Sequence, residues 1–299
     1  MDNSPGPVVS VIVPVFRQWE YLPGCLQALE EQTFPSDQYE VIVVNNESDS
    51  HIPLDVKVFP HCRIVHEPEP GSYKARNAGL MSARGSLIAF TDADCIPQQD
   101  WIESAASILR DQPDVHRIAG KVELFYRNPD RKTTVELYET IFAFQQEYKV
   151  REQGSSLTAN LFVRKEVFTA VGVFMDELKS GGDTEWGKRA QKAGYRIIYA
   201  PWVGVGHPAR RRWQEIMKKA ARLYGGRWEL SGKNKSWIWN IVHGIKLLKP
   251  SMDDYKRVFS RQSFSMLQKC RVSVVIVLVQ IVQCAEHFRL LFFNRPAIR

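Results

Sequence analysis

The chain has 299 residues, of which 44% are hydrophobic and 24% charged, a composition that excludes a disordered or low-complexity protein. This length is enough for one large or two modest domains. The net charge of +7 is uneven, because residues 207–299 hold 19 lysines and arginines against 5 acidic residues and residues 1–206 hold 21 against 28. The basic C-terminal part predicts an anionic partner, either a membrane surface or a nucleic acid, or else a solvated helical face.

Cysteine usage favours a reducing compartment. The 5 cysteines have no Cys-x-x-Cys or other metal-like spacing, and no secretory signal pattern stands at the start. We therefore expect a cytoplasmic protein whose thiols are mostly small buried side chains. Cys95 is the least certain of these, because it directly follows acidic residues.

The first hundred residues alternate apolar strands with amphipathic helices. Runs of β-branched residues at 8–16 and 38–46 predict buried strands, and the apolar spacing between 21 and 32 predicts a helix. Strand, helix and strand of this length form a βαβ unit, so we predict an α/β fold with parallel strands. A strand at 63–66, a helix at 73–83 and a strand from Leu87 are expected next.

This last strand runs directly into two carboxylates, Asp92 and Asp94. Residues i and i+2 of an extended chain point to the same side, so both carboxylates can face one site. Mg²⁺ and Mn²⁺ prefer such oxygen ligands, together with the phosphates of a substrate. The alternative is a turn that caps the following helix. The strand order puts the pair at the same sheet edge as Pro14 and Asn46, where ligands of such sheets bind.

Helices and strands are predicted to alternate through the middle of the chain. Helices are expected at 101–110 and 165–171, and strands at 117–126, 157–163 and 195–200. The aromatic residues between 132 and 150 have roughly helical spacing, which favours core packing over a sugar-stacking surface.

Two further polar residues are candidates for a site. Asp183 follows two glycines and opens a helix, so it is either an N-cap or a carboxylate that faces a ligand. His207 is predicted in a tight, glycine-flanked loop, where it is either solvated or a ligand.

Taken in order, six segments make the chain resemble a family-two glycosyltransferase of the GT-A type. These segments are 9–16, 43–48, 74–79, 90–94, 181–186, and Arg189 with Gly194 and Tyr195. The resemblance covers residues 8 to about 210. It implies a mixed, mainly parallel sheet flanked by helices in a nucleotide-sugar transferase domain at 1–210. A basic, mainly helical region at 211–299 would follow.

The resemblance also implies roles for residues of the nucleotide-sugar site. Pro14 and Phe16 would lie against the nucleotide base, Asn46 would hydrogen-bond it, and Arg76 would reach the base or diphosphate. Asp92, with its neighbour Ala93, would lie near the ribose.

A divalent cation, Mn²⁺ or Mg²⁺, is implied as cofactor. Asp94 would hold it, as the end of an Asp-x-Asp motif, with Asp92 and His207 completing the metal site. Asp183 matches the general base of such enzymes, and Glu185 lies close by as catalytic support.

Two departures from the family pattern bear on this assignment. Asn45-Asn46-Glu47-Ser48 replaces the common acidic pattern at the second strand end, which leaves open whether the base is uracil, guanine or thymine. Gly182 replaces the common glutamate before Asp183, so the base lacks an acidic neighbour that raises its pKa.

The expected reaction is transfer of a sugar from a nucleotide-diphosphate sugar to an acceptor hydroxyl with inversion, in polysaccharide or glycoconjugate synthesis. The acceptor would be a saccharide or a lipid-linked molecule. Two alternatives are a sugar nucleotidyltransferase and a basic nucleic-acid-binding protein. The first would need a glycine-rich phosphate loop after the first strand, and the sequence has none there. The second would give no function to Asp92, Asp94 and Asp183.

The C-terminal region is predicted to begin with a helix from Arg210 to Gly226, followed by a loop with Trp228, Trp237 and Trp239. The apolar run at 272–282 is shorter than the roughly 20 residues needed to span a bilayer. With basic residues on both sides, it predicts either an interfacial helix at the inner face of the membrane or a core element.

Overall fold

A computed structural model describes residues 7–47, 52, 61–232 and 236–293. The chain divides into two compact units. The first comprises Met1–Glu123, Phe144–Glu177 and Gly182–His207, and the second comprises Leu124–Ala143, Leu178–Gly181 and Pro208–Arg299. The second unit thus includes residues 124–143 and 178–181, which lie within the predicted transferase domain.

The described chain contains eight strands in one sheet. They are β1 (Val9–Val15), β2 (Tyr39–Asn45), β3 (Cys62–His66), β4 (Leu87–Thr91), β5 (Ile96–Pro97), β6 (Arg117–Phe125), β7 (Asn160–Arg164) and β8 (Ile197–Pro208). Their order is β3-β2-β1-β4-β7-β6-β8-β5. The strands β3, β2, β1 and β4 run parallel to one another, whereas β7 pairs antiparallel with β4 and β6.

The helices surround this sheet or build the second unit. They are α1 (Leu22–Glu30), α2 (Ser72–Ser82), α3 (Trp101–Asp111), α4 (Thr134–Phe142), α5 (Gln146–Gln153), α6 (Lys165–Val171), α7 (Gly182–Lys192), α8 (Trp213–Arg227), α9 (Trp237–Lys246), α10 (Met252–Phe259) and α11 (Met266–Phe293). A π-helical turn at Trp228–Gly232 follows α8.

The sheet is buried on both faces, as its continuous apolar strands predict. Val11 of β1 faces a core that α1 and α3 complete with Leu26 and Trp101, whereas the next residue, Ile12, faces α2. A Cβ at Gly79 would lie 2.5 Å from the Ile12 side chain, so α2 packs directly on β1. Each fully buried aliphatic side chain of this core contributes about 1.5–3 kcal/mol.

The second unit is helical. Leu137 of α4 packs with Val258 of α10 and with Val272 and Ile276 of α11, which are all buried. Residues of α11 separated by three or four positions thus form its buried stripe, as an amphipathic helix requires. This helix is long and apolar enough to cross a bilayer by length and composition, although 39% of its most apolar window is buried within the protein.

A buried ion-pair cluster supports this helical packing. Glu139 lies 2.7 Å from Lys219 and 3.4 Å from Arg210. Burial raises the pKa of Glu139, but the positive charges of Lys219 and Arg210 outweigh it, and the net pKa is lowered. Burial and repulsion from Arg210 lower the pKa of Lys219 to about 8.

Two sequence predictions are wrong, and a third element is longer than predicted. His207 lies in the long strand β8 and not in a loop, although glycines and prolines surround it in the sequence. Trp237 and Trp239 lie in α9, where the hydroxyl of Ser236 caps the first turn. The apolar run at 272–282 is the middle of a 28-residue helix.

Candidate active site

The ends of β1, β2 and β4 lie at one edge of the sheet, as the βαβ order predicts. Pro14 pairs in register with Val44, and the Asn46 N–H donates to the Val15 carbonyl at 2.9 Å. Pro14 and Phe16 are half-buried. The segments that carry the predicted base-binding residues are therefore adjacent.

Asn46 is buried, and its side chain closes the loop that precedes α2. Its amide nitrogen donates to the carbonyl oxygens of Glu67 and Glu69 at 3.0 and 2.8 Å, and its Oδ1 accepts from the Gly71 N–H at 2.7 Å. These partners are backbone groups of the protein itself. A contact with a nucleotide base stays a prediction. Ser48, the last residue of this predicted motif, lies outside the described residues.

Arg76 and Asp92 form an ion pair at the end of β4. Arg76 Nη2 lies 2.5 Å from Asp92 Oδ1, and Nη1 donates to the Ser72 carbonyl at 2.9 Å. Arg76 is 5% exposed, and its buried Nε has no hydrogen-bond partner among the described residues. The positive charge of the guanidinium at the end of β4 suits an anionic group such as a diphosphate.

Asp92, Asp94 and Cys95 offer ligand atoms within 4.8 Å of one another. Burial, reinforced by the charges of Asp92 and Asp94, raises the pKa of Cys95 well above its usual value. Its thiol donates to the Ala159 carbonyl at 3.8 Å. The thiol therefore stays protonated, and the oxygen ligands that a hard cation prefers are the two carboxylates.

His207 lies beside Asp94. Its Nε2 lies 3.3 Å from Asp94 Oδ2. The short antiparallel pairing of Ile96 with Gly206 explains this proximity, because it aligns β5 with β8 next to both residues. Carboxylates and an imidazole are ligands that Mn²⁺ and Mg²⁺ accept, and Asp94 lies near Asp92 on one side and His207 on the other. Metal binding by these three residues stays a prediction.

Phe144 belongs to this cluster, although nothing in the sequence assigned it there. Its ring packs against the His207 imidazole at a centroid distance of 4.5 Å. Its φ of 45° is unusual for a bulky residue, and it changes the direction of the backbone just before α5 begins. The contact orients the imidazole, which is buried.

Asp183 begins α7 and contacts α2. Tyr73 Oη donates to Asp183 Oδ1 at 3.3 Å, and the Thr184 N–H donates to the same oxygen at 2.8 Å. Since Arg76 is one turn after Tyr73, α2 contacts both Asp92 and the candidate base. Sequence reasoning missed Tyr73, because its partner lies 110 residues away.

An aromatic cluster connects β4 with α7. Phe90 of β4 packs on Phe174, and Phe174 packs on Trp186 of α7. Phe168 stacks on Trp186 at 4.5 Å, and the Trp186 indole N–H donates to the Gly172 carbonyl at 2.8 Å. The helix that carries Asp183 is thereby packed against the strand that leads into Asp92.

Glu185 has a different set of contacts. Both of its oxygens accept from Arg189, at 2.8 and 3.1 Å, and Arg189 also donates to the carbonyl oxygens of Val171 and Val173. This network holds the C-terminal end of α6 against α7. The predicted catalytic support by Glu185 stays a prediction.

Sequence comparison identifies the family. The model of Glycosyl transferase family 2 matches residues 10–170. Glycosyltransferase AglE of Haloferax volcanii is 36% identical over 240 residues, which cover 79% of this chain and 75% of the relative. The chain belongs to glycosyltransferase family 2. As a member of this family, it is an enzyme that transfers glycosyl groups from nucleotide sugars.

Solved structures agree with this family-two fold. The mannosyltransferase PcManGT of Pyrobaculum calidifontis, in complex with GDP-Man and Mn²⁺, has a TM-score of 0.63 at 17% identity and covers 98% of this chain and 89% of its own. TarS of S. aureus, in complex with UDP-GlcNAc, has a TM-score of 0.55 at 17% identity and covers 93% and 89%. The predicted GT-A-type mixed sheet with flanking helices and a helical C-terminal extension is confirmed.

Proposed function

We propose that this glycosyltransferase is a metal-dependent enzyme that transfers a hexose with inversion, in polysaccharide or glycoconjugate synthesis. The observation that carries the proposal is the arrangement around α2, where Arg76 contacts Asp92 and Tyr73 contacts Asp183. One helix thus links a carboxylate for the departing diphosphate to a carboxylate for the acceptor.

The donor is a UDP-, GDP- or dTDP-linked sugar. Pro14, Phe16 and Ala93 line its nucleotide, and Asn46 contributes by closing the loop at 67–71. Arg76 supplies positive charge to the diphosphate, and its position beside Asp92 at the end of β4 supports this role. GDP-Man and UDP-GlcNAc in the two structural neighbours support a donor of this class.

Asp94, Asp92 and His207 hold a divalent cation, Mn²⁺ or Mg²⁺. When bound, such an ion stabilises the negative charge that grows on the leaving diphosphate. The chemistry of these residues supports this assignment, since ligand atoms of Asp92 and Asp94 lie within 4.8 Å of each other, His207 Nε2 lies 3.3 Å from Asp94 Oδ2, and the nearby thiol is protonated.

Asp183 is the general base. Its carboxylate accepts the proton of the acceptor hydroxyl while the oxygen of that hydroxyl bonds to the anomeric carbon. The bond between the anomeric carbon and the diphosphate oxygen breaks in the same step, and the nucleoside diphosphate leaves. A positioned base contributes about 10² to 10⁴ in rate. A single displacement from the opposite face inverts the anomeric configuration.

A donor screen tests this proposal. Purified enzyme is incubated with UDP-, GDP- and dTDP-sugars and Mn²⁺, and release of nucleoside diphosphate is measured. We expect the enzyme to turn over sugars linked to one of the three nucleotides, and EDTA to abolish this turnover. Asp94→Ala should also abolish turnover, whereas the exposed control Asp111→Ala should keep it. Turnover that EDTA leaves unchanged would contradict the metal site, and a retained anomeric configuration in the product would contradict inversion.

We also propose that the second unit associates with the anionic inner face of a membrane, where a saccharide or lipid-linked acceptor is available. Support comes from α9, whose Ile238 and Ile245 are 70% and 61% exposed on the side opposite the buried Asn240, and whose first residue, Trp237, is 64% exposed. Tryptophan favours the membrane interface, and the basic residues 207–299 complement anionic lipids.

Vesicle sedimentation tests this association with the full-length chain. We expect binding to vesicles of phosphatidylcholine and phosphatidylglycerol, and loss of binding when Trp237 and Ile238 are both changed to serine. The control is Trp202→Ser, which removes an exposed tryptophan of the first unit. Equal binding by the double variant would contradict the proposal, and salt-sensitive binding to oligonucleotides without vesicle binding would favour a nucleic-acid partner instead.

A further inference from the structure

The residue before the candidate base is a glycine for a physical reason. A Cβ built at Gly182 would lie 2.8, 2.9 and 3.0 Å from three carbons of the Tyr73 ring. These distances are shorter than a packed side chain tolerates, and Gly182 does not have a positive φ that would otherwise require glycine. The Tyr73 ring therefore occupies the space that a side chain at position 182 would need.

Tyr73 is held in this position. It is 5% exposed, its ring packs on Phe174 at 5.7 Å, and the Arg76 guanidinium lies 5.9 Å from the ring centroid. Phe174 in turn contacts the Trp186 ring of α7. The tyrosine is thus a fixed part of the interface between α2 and α7, which restricts where its hydroxyl can lie.

The hydroxyl selects one oxygen of the candidate base. Within the described chain, both hydrogen bonds to the Asp183 carboxylate go to Oδ1, one from Tyr73 and one from the backbone of Thr184. Two donors on one oxygen fix the carboxylate plane and leave Oδ2 as the oxygen that accepts a proton from an acceptor hydroxyl.

We propose that Tyr73 is a positioning residue for Asp183, which takes the structural place of the missing acidic neighbour and orients the carboxylate for proton transfer. This inference rests on the proposed role of Asp183 as base. Tyr73 touches no reacting atom, so its effect passes through Asp183. We therefore also expect substitutions at Gly182 and Tyr73 to have non-additive effects on kcat.

The test compares Tyr73→Phe, which keeps the ring and removes the hydroxyl, with the exposed control Tyr148→Phe. Turnover of UDP-, GDP- and dTDP-sugars with Mn²⁺ is measured across the panel. For the donor that is turned over, we expect kcat to fall about 10-fold in Tyr73→Phe, because a hydrogen bond to a charged group is lost. The KM for that donor stays within twofold, and Tyr148→Phe behaves as wild type.

Two further comparisons separate positioning from a general loss of structure. In an Asp183→Asn background, Tyr73→Phe causes no additional loss, because its target is already removed. Gly182→Ala lowers kcat in the wild type by displacing the Tyr73 ring, but causes no further loss in a Tyr73→Ala background. Losses that multiply in either background would overturn the inference.

Crystal structures give a readout that does not depend on activity. We expect one orientation of the Asp183 carboxylate in the wild type and more than one in Tyr73→Phe. A single unchanged orientation, or wild-type kcat in Tyr73→Phe while Asp183→Asn is inactive, would overturn the role of Tyr73 alone. Full activity in Asp183→Asn would instead overturn the proposed base.

Discussion

Trp186→Phe tests whether the aromatic cluster holds α7 in place. Trp186 is 1% exposed, and its indole N–H donates to the Gly172 carbonyl at 2.8 Å. The change leaves that carbonyl without its donor, which costs about 1–2 kcal/mol, and the smaller ring leaves a cavity that costs about 1 kcal/mol more. We expect the free energy of unfolding to fall by about 2–3 kcal/mol. This corresponds to a decrease in Tm of about 4–12 °C.

The assay is thermal and urea denaturation followed by circular dichroism, together with transfer kinetics. The matched control is Trp202→Phe, because Trp202 is 58% exposed and its loss is expected to change stability by less than about 0.5 kcal/mol. Since α7 carries Asp183, we also expect a lower kcat in Trp186→Phe. Stability and kcat equal to those of the control variant would refute the reasoning.

Two other predictions concern polar groups. Asn46→Ala removes three hydrogen bonds of the 67–71 loop. In the absence of a nucleotide sugar, the free energy of unfolding should therefore fall by about 3 kcal/mol. An unchanged denaturation midpoint would contradict the loop-closing role. Burial and the nearby His243 lower the pKa of His287 despite its bond to the Asn240 carbonyl. The unfolded state therefore binds the proton more readily, and stability should fall as pH decreases below about 6.5. In denaturation series from pH 7.5 to 5, the free energy of unfolding of His287→Gln should depend less on pH than that of the wild type. An equal pH dependence in the two proteins would show that other groups cause it.

Local sequence patterns predicted the first unit well, because its strands are buried on both faces. The runs at 8–16 and 38–46 correspond to β1 and β2, and the helix at 73–83 corresponds to α2 within one residue at each end. Such runs carry their own signal, since continuous β-branched residues favour a buried strand wherever they occur. The second part of β8, residues 201–208, was missed because its glycines and prolines resemble a turn, whereas the structure continues the strand predicted at 195–200 to Pro208.

The candidate site was predictable where one motif carries the chemistry. Asp92 and Asp94 were found from their spacing after a strand, and the structure brings Arg76 and His207 to them. Phe144 was not predictable, because its contact with His207 depends on packing between distant segments. The same is true of the Tyr73 contact with Asp183.

The helical region was less predictable, because most of its packing is nonlocal. A loop was predicted to contain Trp228, Trp237 and Trp239, yet residues 237–246 form α9 with Asn240 and Gly244 on the buried side. Glycine is unfavourable inside a helix. Here a Cβ at Gly244 would lie 2.6 Å from the His287 ring, so the glycine permits close packing of α9 on α11.

The central claim is that Asp183 removes the proton of the acceptor, and Asp183→Asn tests it most directly. Asparagine keeps the size of the side chain but cannot take up a proton. The measurement compares kcat for transfer with the Kd of UDP or GDP in the presence of Mn²⁺, and the exposed Asp176→Asn variant is the control. We predict that kcat falls by about 10² to 10⁴ while Kd stays within twofold. Transfer by Asp183→Asn at the rate of the Asp176→Asn control would contradict the account.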